Sequence, residues 1–347
     1  MRAAIIRGYG GLEQIALGDV PRPVAQGSGD VVVALRAAAL NHLDIFVIGG
    51  LPGITHQFPH VLGADGAGVV ESVGADVKRF KPGDRVLINP GISCGHCEYC
   101  TSERQPLCAS YAILGEHRAG TFAEAVCVPE VNLAPLAPGI SWHEAAAFPL
   151  ATLTAWGMVS GRARLMKGET ILIRGIGGGV ALASLAAARL IGARTIVTSS
   201  SDEKLARARA LGADETINHA TGDVPREVRR LTAKQGVDVV MDNVGAATWE
   251  TSLRCLGRAG RLVTCGGTSG PMVTTDVRRL FWYQWSILGS TMGSNAEFAE
   301  IAGHFAHGTL KPVVDRVYPL DQARQALERL QRGEQFGKVV LDIGAAG

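Results

Sequence analysis

Neither sign of charge is in excess in this chain: 34 Lys and Arg stand against 32 Asp and Glu, a formal net charge of +2. Such a balance gives no electrostatic footprint for a nucleic-acid backbone, and no basic run or RNA-binding motif interrupts it. Long apolar runs are missing as well. The N-terminus, MRAAIIRGYG, lacks the extended apolar region of a signal peptide. The uncharged stretch between Arg174 and Arg189 is too short and too glycine-rich to span a bilayer. The expectation is a soluble cytoplasmic protein with no nucleic-acid and no membrane partner. There is no internal repeat and no low-complexity linker. Cysteine is sparse except at one place: of seven, four cluster between Cys94 and Cys108. Without a secretion signal, that clustering argues for metal rather than disulfides.

What is present is a globular composition, 47% hydrophobic and 19% charged, over 347 residues. That length exceeds what one core usually holds, so two domains are expected. The middle of the chain contains ETILIRGIGGGVALASLAAARLIGARTIVTSSSDEK, from Glu169 to Lys204. An apolar run, Ile171 to Ile173, is short enough for a buried strand. It turns through Gly175, Gly177, Gly178 and Gly179 into an Ala/Leu-rich helix over Val180 to Ile191, which Gly192 stops, and a second β run follows over Thr195 to Ser199. Glycines at such a turn admit a pyrophosphate to the backbone N–H groups and the helix N-terminus, where a Cβ would hold it away. A plain tight turn would need no such arrangement, whereas strand, turn, helix and strand in this order point to dinucleotide binding.

Before this stretch lie short alternating or β-branched runs, Asp30 to Leu35, Gly68 to Val73 and Arg85 to Ile88, divided by PRP, GSGD, VGAD and KPGD turns. They read as an all-β module, a barrel. After it, strand and helix alternate: a helix from Asp202 closed by Gly212, the strand Asp214–Asn218, a helix begun at Pro225, the strand Val237–Asp242, a helix near Trp249–Leu256 and the strand Arg261–Cys265. Alternation of this kind builds a doubly wound parallel sheet. An amphipathic segment, Leu320 to Arg332, precedes the strand Lys338–Ile343, which is expected to return to the first domain.

Cys94, Cys97, Cys100 and Cys108 are spaced C-x2-C-x2-C-x7-C. Four thiolates gathered by a tight loop form the closed tetrahedral set that a structural zinc prefers. A ferredoxin-type cluster wants a different last interval and a following proline, and Ala109 stands there. The alternative is four unrelated surface cysteines. Cys127, Cys255 and Cys265 lie in apolar contexts and read as core residues.

The order of barrel, dinucleotide unit and return resembles the medium-chain dehydrogenase/reductase superfamily, the zinc-type alcohol dehydrogenases and their quinone and enone reductase relatives. The resemblance covers essentially the whole chain and is carried by VLGADGAGVVESVGADVKRFKPGDRV, the cysteine lobe, GTFAEAVCVP, FPLATLTAW, the glycine turn and RGEQFGKVVL. It implies an α/β protein with a GroES-like β-barrel catalytic domain over 1–150 and 291–347, its zinc lobe at 91–110, and a Rossmann NADP(H)-binding domain over 151–290. It also implies an NAD(P)-dependent oxidoreductase with one structural zinc per chain, paired as a homodimer or homotetramer. The segment Phe281, Trp282, Tyr283, Trp285 and SILGST, an edge-strand candidate, lies where relatives pair subunits.

At the second, catalytic zinc the sequence departs from the zinc-type pattern. The positions that correspond to its ligands read Asn41 in NHLD, Ala64 in GAD and Leu150 in FPLATLTAW, and none is a competent ligand. Loss of the catalytic zinc is therefore expected. Ketone–alcohol chemistry would then lack its Lewis acid. Hydride addition to an enone leaves an enolate that hydrogen-bond donors can stabilise. Asn41 and Asp44 form an N-x-x-D pattern similar to that of the zinc-independent reductases. Asn41 and Thr154 are expected to donate to substrate or ribose, Asp44 to orient them or to be a buried structural carboxylate, and His42 and Asp65 to be relay or nicotinamide contacts or satisfied polar residues near the cleft. His42, Asp44, His56, His60 and Asp65 could alternatively form a rearranged metal site, and His117 is another candidate cleft residue. The loop Phe46–Phe58 is expected to line an apolar pocket for a small hydrophobic carbonyl compound.

For the nicotinamide, the second strand ends in Ser199 where an NAD-specific site usually has an acid. Ser199, Ser200 and Lys204 can instead hold a 2′-phosphate, so NADP(H) is favoured over NAD(H). The competing reading makes SSSDEK a helix cap with Ser201 as N-cap. Asn243, Gly266 and Gly267 sit at predicted carboxyl ends of parallel strands, which face the cofactor. The leading expectation is an NADPH-dependent reductase of enones or quinones without catalytic zinc. The alternatives are an alcohol dehydrogenase with an atypical ligand set and a noncatalytic nucleotide-binding protein.

Overall fold

The structure, a computed structural model, describes residues 1–344. It divides the chain into two compact units, Met1–Ala151 with Ser294–Gly347, and Thr152–Gly293.

The first unit opens with β1 (Arg2–Ile6), β2 (Ile15–Asp19) and the long β3 (Asp30–Ala39), then α1 (His42–Gly49), β4 (His60–Val61), β5 (Asp65–Val73) and β6 (Arg85–Ile88). The cysteine lobe follows, with β7 (Gly91–Ile92), α2 (Glu98–Thr101) and β8 (Ala112–Ile113), then β9 (Ala125–Pro129), β10 (Leu133–Pro135) and α3 (Trp142–Ala147). The helix α4 (Pro149–Trp156) leads into the second unit. The barrel expected from the turn spacing takes the form of three sheets, ordered β2-β1-β4, a two-stranded β7-β8 pair, and a seven-stranded sheet centred on β3. β3 pairs with β5 along one edge and with β9 along the other. With both edges occupied and Val31, Val33 and Leu35 facing a core of Val70, Val86, Ile88 and Val126, its near-continuous VVVALRAAA run is explained. One correction concerns Phe46–Phe58: Phe46 belongs to α1, so the irregular loop begins only at Gly50.

The second unit alternates β11 (Thr170–Ile173), α5 (Gly179–Ile191), β12 (Arg194–Ser199), α6 (Asp202–Ala210), β13 (Glu215–Asn218), α7 (Val224–Leu231), β14 (Val237–Met241), α8 (Trp249–Cys255), β15 (Leu256–Thr264), α9 (Val277–Tyr283) and β16 (Ser286–Gly289). All pairings in its six-stranded sheet, β13-β12-β11-β14-β15-β16, are parallel. The strand order reverses between β11 and β14, which is where a doubly wound sheet opens its ligand crevice. β16 is the edge strand anticipated from SILGST.

The chain then re-enters the first unit through α10 (Asn295–Ala306), β17 (Val314–Pro319), α11 (Ala323–Gln331) and β18 (Lys338–Asp342). α11 buries Ala323, Ala326, Leu327 and Leu330, a helical stripe packed with Ile6, Leu40, Val47 and Leu62. β18 completes the seven-stranded sheet by pairing antiparallel with the end of β3, Ala37–Ala39.

Gly68 in β5 marks the closest backbone approach in this sheet. The β3–β5 register shifts beside it, and a Cβ there would lie 2.1 Å from the Ala34 carbonyl oxygen. Gly68→Ala is expected to cost about 2 kcal/mol or more, read by denaturant unfolding. Gly289→Ala, where an added methyl meets nothing within 4 Å, should stay within about 0.5 kcal/mol of the parent.

Candidate functional site

Four distant parts of the first unit meet at one buried carboxylate. Asp65, at the start of β5, is 0% exposed. Its Oδ1 accepts the Leu150 N–H at 2.6 Å, and its Oδ2 accepts Asn41 Nδ2 at 2.9 Å and Lys338 Nζ at 2.8 Å. The same ammonium donates to Asn41 Oδ1 at 2.5 Å. Asn41 arrives here because β3 ends at Ala39 and the chain, still extended at Asn41, caps α1. Both ends of its amide are therefore engaged within the protein, and the expected donation to substrate or ribose is not the bond that it makes.

Asp44, three residues on, is likewise buried. Its Oδ2 accepts the Asn41 N–H at 2.7 Å and its Oδ1 the Gly63 N–H at 3.2 Å, the contacts of a carboxylate that fixes backbone. Burial pushes its pKa up from 3.8 to about 7, against the pull of the Asn41 N–H and the Lys338 charge. His42, the first residue of α1, reaches the surface. Desolvation and then the Lys338 charge lower its pKa.

The three positions that lack metal ligands converge with these groups. Asn41 and Leu150 both hydrogen-bond Asp65, and Ala64 is its buried chain neighbour. The rearranged metal set does not form. His56 Nδ1 meets Tyr9 Oη at 2.9 Å and its Nε2 the Glu116 carbonyl at 2.6 Å, while His60 Nε2 meets the Gly115 carbonyl at 2.9 Å. His117 Nδ1 accepts the Ile113 N–H at 3.2 Å. Among the described residues, the four cysteines are the one group of three or more His, Cys, Asp or Glu side chains that could hold a metal.

In the cysteine lobe, Gly95 at φ +80° and α2 fold the loop tightly, and the four Sγ atoms lie within 4.8 Å of one another. Cys94 and Cys97 stand 3.8 and 3.5 Å from Cys100, matching the roughly 3.8 Å between thiolates on one tetrahedral zinc. Cys127, Cys255 and Cys265 lie apart from this set, and burial raises each thiol, to about 11, 12 and 12.

In the second unit, Gly175 and Gly177 take φ of +66° and +127°, conformations that a side chain disfavours. The turn is tied to β12 by Ile176 N–H to the Thr198 carbonyl at 2.7 Å. Gly178 is the N-cap of α5, so no side chain closes the first turn, and a Cβ on Gly178 would meet nothing within 4 Å. Gly179 and Val180 open the helix with their N–H groups unclaimed by a cap, the arrangement that suits a pyrophosphate. At the end of β12, Ser199 Oγ accepts the Ser201 N–H at 3.2 Å, and Ser200 is exposed. Ser201 caps α6 by accepting the Lys204 N–H at 3.3 Å, as the capping reading had it. Asp202 is turned to Asn218 Nδ2 at 2.8 Å. The Asn243 carbonyl accepts Thr268 Oγ1 at 3.5 Å, and Gly266 and Gly267 shape the loop after β15. Thr154 Oγ1 donates to Met292 Sδ at 3.4 Å, an ordinary length for a bond to sulfur.

Two residues of these sites escaped the sequence reading. Lys338 stood in RGEQFGKVVL without a role, and a lysine opening an apolar strand was the available signal. Arg174, at the end of β11, is 4% exposed and donates to Thr251 Oγ1 at 3.1 Å, while its Nε and Nη1 have no protein partner. Burial lowers its pKa. No helix among the described residues is long and apolar enough to cross a membrane.

Two family models match the chain. Residues 27–138 match the alcohol dehydrogenase GroES-like domain, and residues 179–307 match the zinc-binding dehydrogenase domain. A quinone oxidoreductase of Pseudomonas aeruginosa is 34% identical over 345 residues, covering 96% of this chain and 97% of its own. A zinc-type alcohol dehydrogenase-like protein of Schizosaccharomyces pombe is 33% identical over 341 residues, 96% of each chain. The crystal structure of an NAD-dependent alcohol dehydrogenase superposes with a TM-score of 0.95 at 47% identity, covering 99% of this chain and 100% of that one.

The Asp44 shift has a pH signature. Its pKa is raised on folding, so the folded state binds the extra proton, and the group's contribution to stability is lost as pH rises from about 4 to about 7. Relative to Asp44→Asn, the parent chain should lose up to a few kcal/mol over that window, measured by urea unfolding of both proteins from about pH 4.5 to 7.5. A constant difference across the window would contradict the shift.

Proposed function

We propose that this chain, which belongs to the medium-chain dehydrogenase/reductase superfamily and is an oxidoreductase of that type, reduces activated C=C bonds of enones, or quinones, with NADPH and without a catalytic zinc. The observation that carries the reading is the convergence of Asn41, Ala64 and Leu150 on Asp65 and Lys338, an amide and two alkyl side chains where a catalytic metal would need N, S or carboxylate ligands. When bound, NADPH would supply a hydride to the β carbon of the enone, leaving an enolate that hydrogen-bond donors of the chain would stabilise until solvent protonates it. The first turn of α5 and the Gly175–Gly179 turn hold the pyrophosphate. Ser199, Ser200 and Lys204 receive the 2′-phosphate, and Asn243, Gly266 and Gly267 border the dinucleotide. In the first unit His42, which is exposed, offers a hydrogen-bond donor to an anionic oxygen; in the second, Thr154, whose hydroxyl donates to Met292 Sδ at 3.4 Å, is a further donor. Asn41 and Asp44 act as positioning groups.

The cysteine lobe holds a zinc that orders its loop, since metal binding there becomes folding free energy. Copies of the chain pair through the second unit. The exposure of Val277, Phe281 and Trp282 on α9, beside the edge strand β16 with Ile287 exposed, supports a homodimer or homotetramer. A second reading, alcohol dehydrogenase, draws on the 47% identity to the NAD-dependent alcohol dehydrogenase.

Elemental analysis of chelator-washed protein separates the two. One zinc per chain, lost together with the fold in Cys94→Ser, agrees with the metal-free reductase. Two per chain, with turnover of alcohols and none of enones, would give the site to alcohol dehydrogenation. For the cofactor, Ser199→Asp is expected to raise the KM for NADPH at least about tenfold and to lower that for NADH, because a carboxylate repels the 2′-phosphate and accepts ribose hydroxyls. Unchanged KM values for both cofactors would remove Ser199 from the assignment.

A further inference from the structure

Between the end of α1 and the start of β4 the chain runs through residues 51–59 without helix or strand. Most of this segment is exposed, and His56 alone is buried, at 8% exposure. Every hydrogen bond that joins the segment to the rest of the described chain ends on one of two groups, the Tyr9 hydroxyl or the Glu116 carbonyl. A carbonyl can only accept, so Nε2 of the neutral His56 imidazole carries the ring proton and Nδ1 is left as an acceptor. Tyr9 Oη therefore donates to Nδ1 at 2.9 Å while it accepts the His56 N–H at 2.9 Å. One hydroxyl serves both the ring and the backbone of the same residue, and the Ile54 carbonyl stands 3.4 Å from it. Tyr9 is fixed in turn, because the N–H of Gly10 bonds the Ile48 carbonyl of α1 at 2.9 Å. Its ring meets Phe58 edge to face, with centroids 5.1 Å apart.

This clasp borders the groups of the first unit already described. The segment begins where α1, capped by Asn41, ends, and it leads through β4 into Gly63, whose N–H bonds Asp44, and Ala64. Its second tether is adjacent as well: a Cβ on Gly115, the residue before Glu116, would lie 2.6 Å from the Gly63 carbonyl oxygen. Phe46 and Phe58 keep 37% and 38% of their surface open, and Leu51 and Ile54 are half-buried, an apolar face that a hydrophobic substrate can cover. Resting on the reductase reading above, we propose that Tyr9 is a positioning residue for substrate. By clasping His56 it fixes 51–59 as an apolar wall of the substrate site and sets the size of enone that the wall admits. Without the hydroxyl, the His56 N–H and Nδ1 lose their partner, and the segment keeps a single tether, at Glu116.

Tyr9→Phe keeps the ring against Phe58 and removes only the hydroxyl. Hydrogen exchange followed by mass spectrometry should show the amides of 54–57 exchanging at least about fivefold faster than in the parent, with those of β3 and β5 unchanged. Turnover is read with NADPH and two enones, methyl vinyl ketone and the bulkier benzylideneacetone. The parent should favour the smaller one. In the variant the ratio of kcat/KM, small over bulky, should fall at least about fivefold through the KM of the bulkier enone, while KM for NADPH moves less than about twofold. Faster exchange with an unchanged ratio would make the clasp a tether of a surface loop and overturn the proposal, as would unchanged exchange. A parent protein inactive toward every enone and quinone overturns instead the reductase reading, and with it the role at the substrate, whereas the exchange rates still decide the clasp.

Discussion

An ionised carboxylate enclosed by protein must find its counter-charge and hydrogen-bond donors inside, and much of the first unit is arranged around meeting that demand for Asp65. β5 brings the carboxylate, the end of β3 brings Asn41, α4 brings a backbone N–H and the last strand of the chain brings Lys338. Each donor is pinned by regular structure, so the cluster holds three elements and the chain's end in register. The antiparallel pairing of β18 with β3 is what sets Lys338 beside Asn41. The return of the chain to its first unit is thus part of the site.

The second unit solves the opposite problem. There the backbone is left with donors to offer. Gly178 caps α5 without a side chain, and the positive φ of Gly175 and Gly177 turns the chain sharply off β11. Asp242, which follows the neighbouring strand β14, is occupied by its own loop, accepting from Val244, Gly245, Thr248 and Ser252. A phosphate group is the natural complement of such a helix start. The partly unpartnered guanidinium of Arg174 adds positive charge at the end of the same strand.

The two candidate metal positions contrast in how their residues are gathered. The cysteine lobe is local: its four sulfurs come from one loop, and their spacing already constrains them to meet. The position at Asn41, Ala64 and Leu150 is assembled from three separate elements. Its chemistry depends on which side chains the fold brings there, including one that no local motif announces.

That contrast also divides what could be read from the chain before folding was considered. Alternation of short apolar runs with helical stretches determined the two-unit α/β architecture, because the periods of strand and helix are backbone properties expressed residue by residue. The glycine turn, the cysteine spacing and the missing acid at Ser199 were legible for the same reason, each lying within one turn or loop. Tertiary structure alone decided that Asn41 faces inward to Lys338 and Asp65, that Asp44 fixes backbone at Gly63, that both nitrogens of His56 are occupied, and that Asp202 turns to Asn218. Lys338 and Asp65 lie 273 positions apart. No periodicity or spacing links residues so distant, and only the pairing of strands and the requirement that buried charge be compensated bring them together.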